Sequence, residues 1–105
     1  MSKYHAIPIY VDGIRFASKA EARRYCELRL LERAGGITEF ILQPRFPLTV
    51  NGVKLGTYVA DFQYHDCATG QSVIEDVKGV LTPVYKLKCK LIQALYGVVI
   101  TEVQA

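Results

Sequence analysis

Glu21, Asp61, Asp76 and Lys78 are the side chains whose types and spacing could do chemistry together. Asp76 and Lys78 lie two apart in Ser72-Val73-Ile74-Glu75-Asp76-Val77-Lys78-Gly79, with β-branched residues at 73, 74 and 77 and bounding glycines at 70 and 79. That composition reads as a β-strand, in which residues two apart point the same way. Asp76 and Lys78 therefore share a face, and Glu75 points to the other. A carboxylate beside an ammonium in an apolar strand is costly to bury unless something uses it. A symmetric turn over residues 66–70 sets Asp61, on the preceding strand, opposite Asp76 or Glu75, and the alternation favours Asp76. Directly opposed residues have β-carbons roughly 5 Å apart. Two carboxylates so placed repel unless they are solvated, share a proton, or together hold a divalent cation, which needs hard oxygen ligands.

With magnesium as the cation, Asp61 and Asp76 can supply two ligands and a backbone carbonyl of the Asp76 strand another; Glu21 can bind directly or through water. Lys78 can orient or help deprotonate an attacking water, or stabilise charge growing on a phosphate. The chemistry this set suits is phosphodiester hydrolysis. Each residue also has a plainer reading. Glu21 can be a helix cap and nothing more, and the other three a buried ion cluster.

The elements that must position these groups follow from local signals. Residues 7–16 alternate around Asp12-Gly13, a two-residue hairpin signal, with Pro8 pushing the first strand to an edge. Ser18-Lys19-Ala20-Glu21 is a capping box, and Ala22, Tyr25, Cys26, Leu28 and Leu31 follow at helical spacing until Gly35-Gly36. This puts Glu21 over the apolar stripe with Tyr25 and Leu28, apart from Arg23, Arg24 and Arg33. Residues 37–50 read as a strand interrupted by Pro44 and Pro47. Asn51-Gly52, the strongest hairpin signal, returns the chain as a strand from Val53 to Tyr64. With the Asp76 strand these make a three-stranded antiparallel meander. Thr82-Pro83 opens a second helix with an apolar stripe of Val84, Leu87, Leu91, Ala94 and Leu95, ending at Gly97. Its polar positions carry Lys86, Lys88, Lys90 and Gln93. A last strand spans Val98 to Val103, joining in parallel or as a mixed edge.

The 105 residues make one domain, 1–105, and 50% hydrophobic with 22% charged residues excludes wholesale disorder. The net charge of +3 suits a polyanionic partner without requiring one. Cys26, Cys67 and Cys89 form no C-x-x-C pair, which argues against a disulfide framework or zinc site and for reduced, partly buried thiols in a cytosolic protein. Neither His5 nor His65 is a convincing ligand or base. The stretch Met1 to His5 has no signal-peptide apolar region, and no apolar run approaches ~18 residues, so no membrane association is expected.

The ordered set Glu21, Asp61 and Asp76-Val77-Lys78, on an α-βββ-α-β order, resembles the PD-(D/E)xK nuclease superfamily. Phe16-Ala17-Ser18-Lys19-Ala20-Glu21, Leu42-Gln43-Pro44-Arg45-Phe46, Ala60-Asp61-Phe62 and Glu75-Asp76-Val77-Lys78-Gly79 further resemble a family of small phage and prophage proteins, and the resemblance spans the chain. Related members include transposase-associated endonuclease subunits and junction-resolving enzymes. The resemblance implies a mixed-sheet α/β fold with a restriction-endonuclease-like αβββαβ core, to which the N-terminal β-hairpin is added. It implies a magnesium-dependent deoxyribonuclease, with manganese able to substitute, acting as an endonuclease in phage recombination or DNA processing and structure-specific for Holliday-like junctions. Glu21, Asp61 and Asp76 become metal ligands and Lys78 the catalytic lysine. Ala60 stands where the superfamily's name has proline, and Glu75 competes with Asp76 until side-chain period selects Asp76. Lys86, Lys88 and Lys90, with Arg45 and Gln43, are the candidate DNA contacts. A two-fold homodimer in the cytoplasm, that of the host cell if phage-encoded, is the expected assembly, since a domain this small carries one site. The alternative is a non-catalytic DNA-binding recombination-accessory protein with the same fold.

Overall fold

The computed structural model describes residues 8–105; His5 and Ile7, read above as a non-ligand and a strand position, lie outside the described residues. Turn chemistry sets the ends of most elements. Strands β1 (Ile9–Val11) and β2 (Ile14–Phe16) pair antiparallel across Asp12-Gly13, whose φ angles of 53° and 76° give the doubly left-handed turn that matches strand twist. Helix α1 (Lys19–Arg33) is capped by the Ser18 hydroxyl, which accepts from the Glu21 N–H at 3.1 Å. It ends in a Schellman arrangement, with Gly36 N–H on the Leu31 carbonyl at 2.9 Å and Gly35 in the left-handed region. Its buried stripe is Ala22, Tyr25 and Leu28. Cys26 and Leu31, expected on that stripe, are exposed, because each lies about 100° or more around the helix from Tyr25.

The two stretches expected to be single strands each break once. The first gives β3 (Ile37–Leu42) and β4 (Arg45–Val50), the second β5 (Val53–Val59) and β6 (Phe62–Asp66). Strand β7 (Gln71–Lys78) follows, then helix α2 (Pro83–Tyr96) and strand β8 (Thr101–Gln104). The main sheet has the order β3-β6-β7-β8, antiparallel except for β7 and β8, which the α2 crossover makes parallel. Strands β4 and β5 form a separate two-stranded sheet closed by Asn51-Gly52, again left-handed at both residues. The expected meander survives in the main sheet as β3-β6-β7, with the β4–β5 hairpin growing out of it. The protein is thus a mixed α/β structure with an N-terminal hairpin.

The breaks change which side each strand faces. Gln43 takes a φ of 50° ahead of Pro44, and Asp61 lies across from it: Gln43 N–H bonds to the Asp61 carbonyl at 3.0 Å and Ala60 N–H to the Pro44 carbonyl at 3.1 Å. In an unbroken strand Tyr58, Ala60, Phe62 and Tyr64 would share one face. Here Phe62 and Tyr64 pack with Phe16, Ala22, Tyr25, Leu28 and Ile37 under α1, whereas Tyr58 and Ala60 pack with Leu48, Ile74, Tyr85 and Ile92 under α2. Two cores thus cover the two faces of the sheet, and Asp61 stands where the chain passes from one to the other.

Helix α2 starts as expected, with the Thr82 hydroxyl accepting from Tyr85 N–H at 3.1 Å and Pro83 in the first turn, and it ends at left-handed Gly97. Its buried residues are Tyr85 and Ile92, not the predicted stripe. Val84, Leu87, Ala94 and Leu95 are exposed and Leu91 half-buried. The sheet takes the arc about 100° around from the leucine stripe because two large side chains seven residues apart fill the space against Tyr58 and Leu48. Among the described residues, no helix is long and apolar enough to cross a membrane.

Candidate metal and phosphodiester site

Strand β7 carries two neighbouring carboxylates into opposite environments. Both are 1% exposed. Glu75 faces α1, where Arg24 grips it with both guanidinium arms (Nε to Oε1 2.8 Å, Nη2 to Oε2 2.7 Å) and the Tyr64 hydroxyl donates to Oε2. Both Glu75 carboxylate oxygens thus accept from Arg24, and Oε2 accepts from Tyr64 as well. The Glu75 partnership holds the Arg24 charge in place, and burial pushes the Tyr64 hydroxyl up to about 12. Asp76 faces α2. Its Oδ2 accepts from the Tyr58 hydroxyl, and its Oδ1 lies 3.5 Å from Lys78 Nζ. Burial raises the Asp76 carboxyl to about 6 despite the opposing pull of Lys78.

Asp61 precedes β6, whose register pairs Phe62 with Glu75 and, carried one step further, sets Asp61 across from Asp76. Its N–H bonds to the Glu75 carbonyl at 3.1 Å, while its own Oδ2 accepts from the Val77 N–H at 2.7 Å. That bond fastens the carboxylate to the backbone between Asp76 and Lys78. Burial raises the Asp61 pKa, and the Val77 N–H and Lys78 hold part of that rise back. Glu21, in the first turn of α1, is raised by burial and then by Asp61, with a smaller push from Asp76. The Ser18 hydroxyl and Ala17 N–H pull it down, so Glu21 serves the cap and feels the aspartates at once.

Two clefts flank this group. One of about 150 Å³ is lined by Arg15, Phe16, Glu21, Leu42, Gln43, Asp61 and Phe62. The other, about 380 Å³, is lined by Thr57, Tyr58, Lys78, Thr82, Tyr85 and Lys88 among others. Lys78 bridges toward the second, its ammonium 4.6 Å from the centre of the Tyr85 ring. The Tyr85 hydroxyl is buried without a hydrogen-bond partner among the described residues, and burial pushes its pKa up.

The structure therefore brings Asp61, Asp76 and Lys78 together, with Glu21 in electrostatic reach. Gln43 comes to the first cleft and Lys88 to the second. Lys86 and Lys90 stand exposed on α2, and Arg45 is exposed at the start of β4, lining neither cleft. Arg24 was read as lying away from the face of Glu21, but its i,i+3 spacing from Glu21 carries it over the sheet to Glu75. That spacing was the available signal for it. Tyr58 had none, because only the break at Asp61 turns it toward Asp76. The thiols differ from expectation too: Cys26 and Cys67 are exposed and Cys89 is half-buried.

The donor chemistry fits a hard divalent cation: Glu21, Asp61 and Asp76 are carboxylates raised by burial, and each also feels a neighbouring carboxylate. The fit is one of chemistry and not of a closed cage. Among the described residues, no three His, Cys, Asp or Glu side chains converge tightly enough to hold a metal ion.

No curated protein and no solved structure matches this chain. The family model described as "Protein of unknown function (DUF1064)" matches residues 1–103, so the chain belongs to that family.

Proposed function

We propose that this protein is a magnesium-dependent DNA endonuclease built on a restriction-endonuclease-like core, with Asp61, Asp76 and Lys78 at its centre and Glu21 beside them. One observation carries the reading: the Asp61 carboxylate is fastened to Val77 N–H at 2.7 Å, between Asp76 and a lysine 3.5 Å from it. Carboxylates held this way are short of positive charge, and Lys78 neutralises only one. Asp61 and Asp76 would hold the metal, with Glu21 reaching it directly or through water, and the bound ion would supply charge neutralisation at phosphate and a more acidic water. Tyr58 fixes the Asp76 rotamer by its hydrogen bond. Lys78, packed on the Tyr85 ring, projects its ammonium to the second cleft, where it can stabilise charge on a phosphate oxygen. Lys88, Thr57 and Thr82 line that cleft with it and supply further donors for the DNA backbone.

The test is incubation of purified protein with a four-way junction, a flap, linear duplex and single-stranded DNA, with and without magnesium or manganese. Cleavage is expected only with metal. Asp76→Asn and Lys78→Ala proteins with unchanged circular dichroism should lose it by at least ~100-fold. Cleavage that survives both changes would sink this assignment of the site.

A second reading has its own support. The absence of a closed carboxylate cage among the described residues favours a non-catalytic DNA-binding accessory protein of the same fold. That protein would bind DNA without metal and cut nothing.

A further inference from the structure

The first cleft, beside Glu21 and Asp61, is the inner part of a larger recess. Its about 150 Å³ are walled by the apolar residues Ile14, Phe16, Leu42 and Phe62, with Arg15 and Gln43 as further polar groups. A hollow of about 350 Å³ adjoins it and shares Arg15, Phe16, Glu21 and Gln43 with it, so the two form one continuous space. An apolar cavity of about 150 Å³ is the size that admits a single benzene-like ring.

Gln43 reaches this recess on an unfavourable backbone. Its φ is 50°, a region that suits glycine, and Pro44 behind it narrows the choice further. Strain of this kind gathers where a side chain is held for a purpose beyond folding. The Gln43 N–H is spent on the Asp61 carbonyl, which leaves the side-chain amide as donor and acceptor for a ligand. Arg15 supplies the recess with its positive charge and has no ion pair among the described residues.

We propose that this recess receives one unpaired pyrimidine of a DNA strand, its ring in the inner cleft and its sugar-phosphate in the outer hollow. Size sets the class of base, because a single ring fills the inner cleft and the fused rings of a purine exceed it. The Gln43 amide offers a donor and an acceptor side by side, which suits the Watson–Crick edge of either pyrimidine. Arg15 meets the phosphate of the same nucleotide. A base stacked in a duplex cannot enter such a space, so the nucleotide is extrahelical, as at a bulge, a flap or a branch point. Base binding stands apart from catalysis. That the adjoining phosphate is the one cut rests on the nuclease reading, since Glu21 and Asp61 line the same cleft.

Fluorescence anisotropy in calcium tests this with four labelled duplexes that differ at one position: a bulged thymidine, a bulged adenosine, a bulged abasic residue, and no bulge. The wild-type chain is expected to bind the thymidine bulge roughly tenfold more tightly than the other three, the scale of one base contact. Gln43→Gly should erase most of that preference while its urea midpoint holds or rises, because glycine suits the φ of 50°. Arg15→Ala should weaken the bulged duplexes alike and lower their salt slope by about 0.9. Equal affinity for the thymidine bulge and either other bulge overturns the proposal. So does a Gln43→Gly chain that keeps the preference, or one that loses it only by losing stability. A thymidine preference without cleavage in magnesium upholds the base site and removes the nuclease reading; cleavage without the preference does the reverse.

Discussion

Asp76 and Glu75 are adjacent, equally buried and opposite in what they ask of the protein. Glu75 has its compensation built in, a two-pronged guanidinium and a tyrosine hydroxyl, and so behaves as a structural ion pair. Asp76 has one hydroxyl and a lysine at 3.5 Å, which leaves its ionised form underpaid in a site closed to water. The consequence is a pH dependence whose sign can be worked out. The Asp76 carboxyl titrates near 3.8 when unfolded and near 6 when folded, so the folded chain binds more protons between those values. Stability of the metal-free protein therefore falls as pH rises from about 4 to 6, and above 6 the full cost, about 3 kcal/mol, is present. Asp61 and Glu21, also raised, add slopes of the same sign. Urea titrations across that range should show the midpoint dropping with pH in the wild type. Asp76→Asn should flatten the drop, and magnesium should restore stability more above pH 6 than below it. A midpoint that rises steadily with pH would mean that Asp76 is not held in this environment.

At the level of elements, helix α2 separates what periodicity tells from what it leaves open. The leucine stripe is real, and so is the helix, but a second arc of tyrosine and isoleucine is the one that meets the sheet. In dilute, monomeric protein, Ile92→Ala should cost 2–5 kcal/mol, roughly, and Leu87→Ala less than about 0.5 kcal/mol, as chemical denaturation would show. Reversed costs would put the helix in the other rotational setting. The caps, both left-handed hairpin turns, the order of elements and the pairing of Asp61 with the Asp76–Lys78 strand were legible because each depends on a few neighbouring residues. Ser18 and Thr82 cap, Asn51-Gly52 turns, and period two sets Asp76 beside Lys78. The breaks at Gln43 and Asp61 were only half legible. Pro44 announces one, but nothing in Ala60-Asp61-Phe62 announces the other, which arises because its partner strand has already turned and must be followed. The face exchange that brings Tyr58 to Asp76 is a product of that tertiary constraint. The reach of Arg24 to Glu75 is legible in part: its i,i+3 spacing from Glu21 turns it toward the sheet, but the buried partner is met only once the helix has docked.

The molecule as a whole places its charges unevenly. Its net charge is only +3, yet α2 carries Lys86, Lys88 and Lys90 with no acidic residue, on the side of the sheet where Lys78 also lies. On the α1 side Arg24 is paired with Glu75 and Glu27 and Arg29 with Glu32, while Arg23 and Arg33 have no ion pair among the described residues. A polyanion therefore meets three lysines on one helix with no acidic residue along it, a local field that the net charge understates. If DNA lies along α2, each lysine that touches a phosphate releases a counterion, and the logarithm of affinity should fall with the logarithm of salt by about 0.9 per contact on duplex. Replacing Lys86 and Lys90 by alanine should lower that slope by about 2 in total and weaken all sequences alike. Arg33→Ala, at the far end of α1, serves as the control and should leave the slope where it was, because α1 covers the opposite face. Fluorescence anisotropy in calcium, over a series of salt concentrations, measures this whether or not the protein cuts. A slope that responds to Arg33 and ignores Lys86 and Lys90 would move the DNA to the α1 side and take the second cleft out of its path.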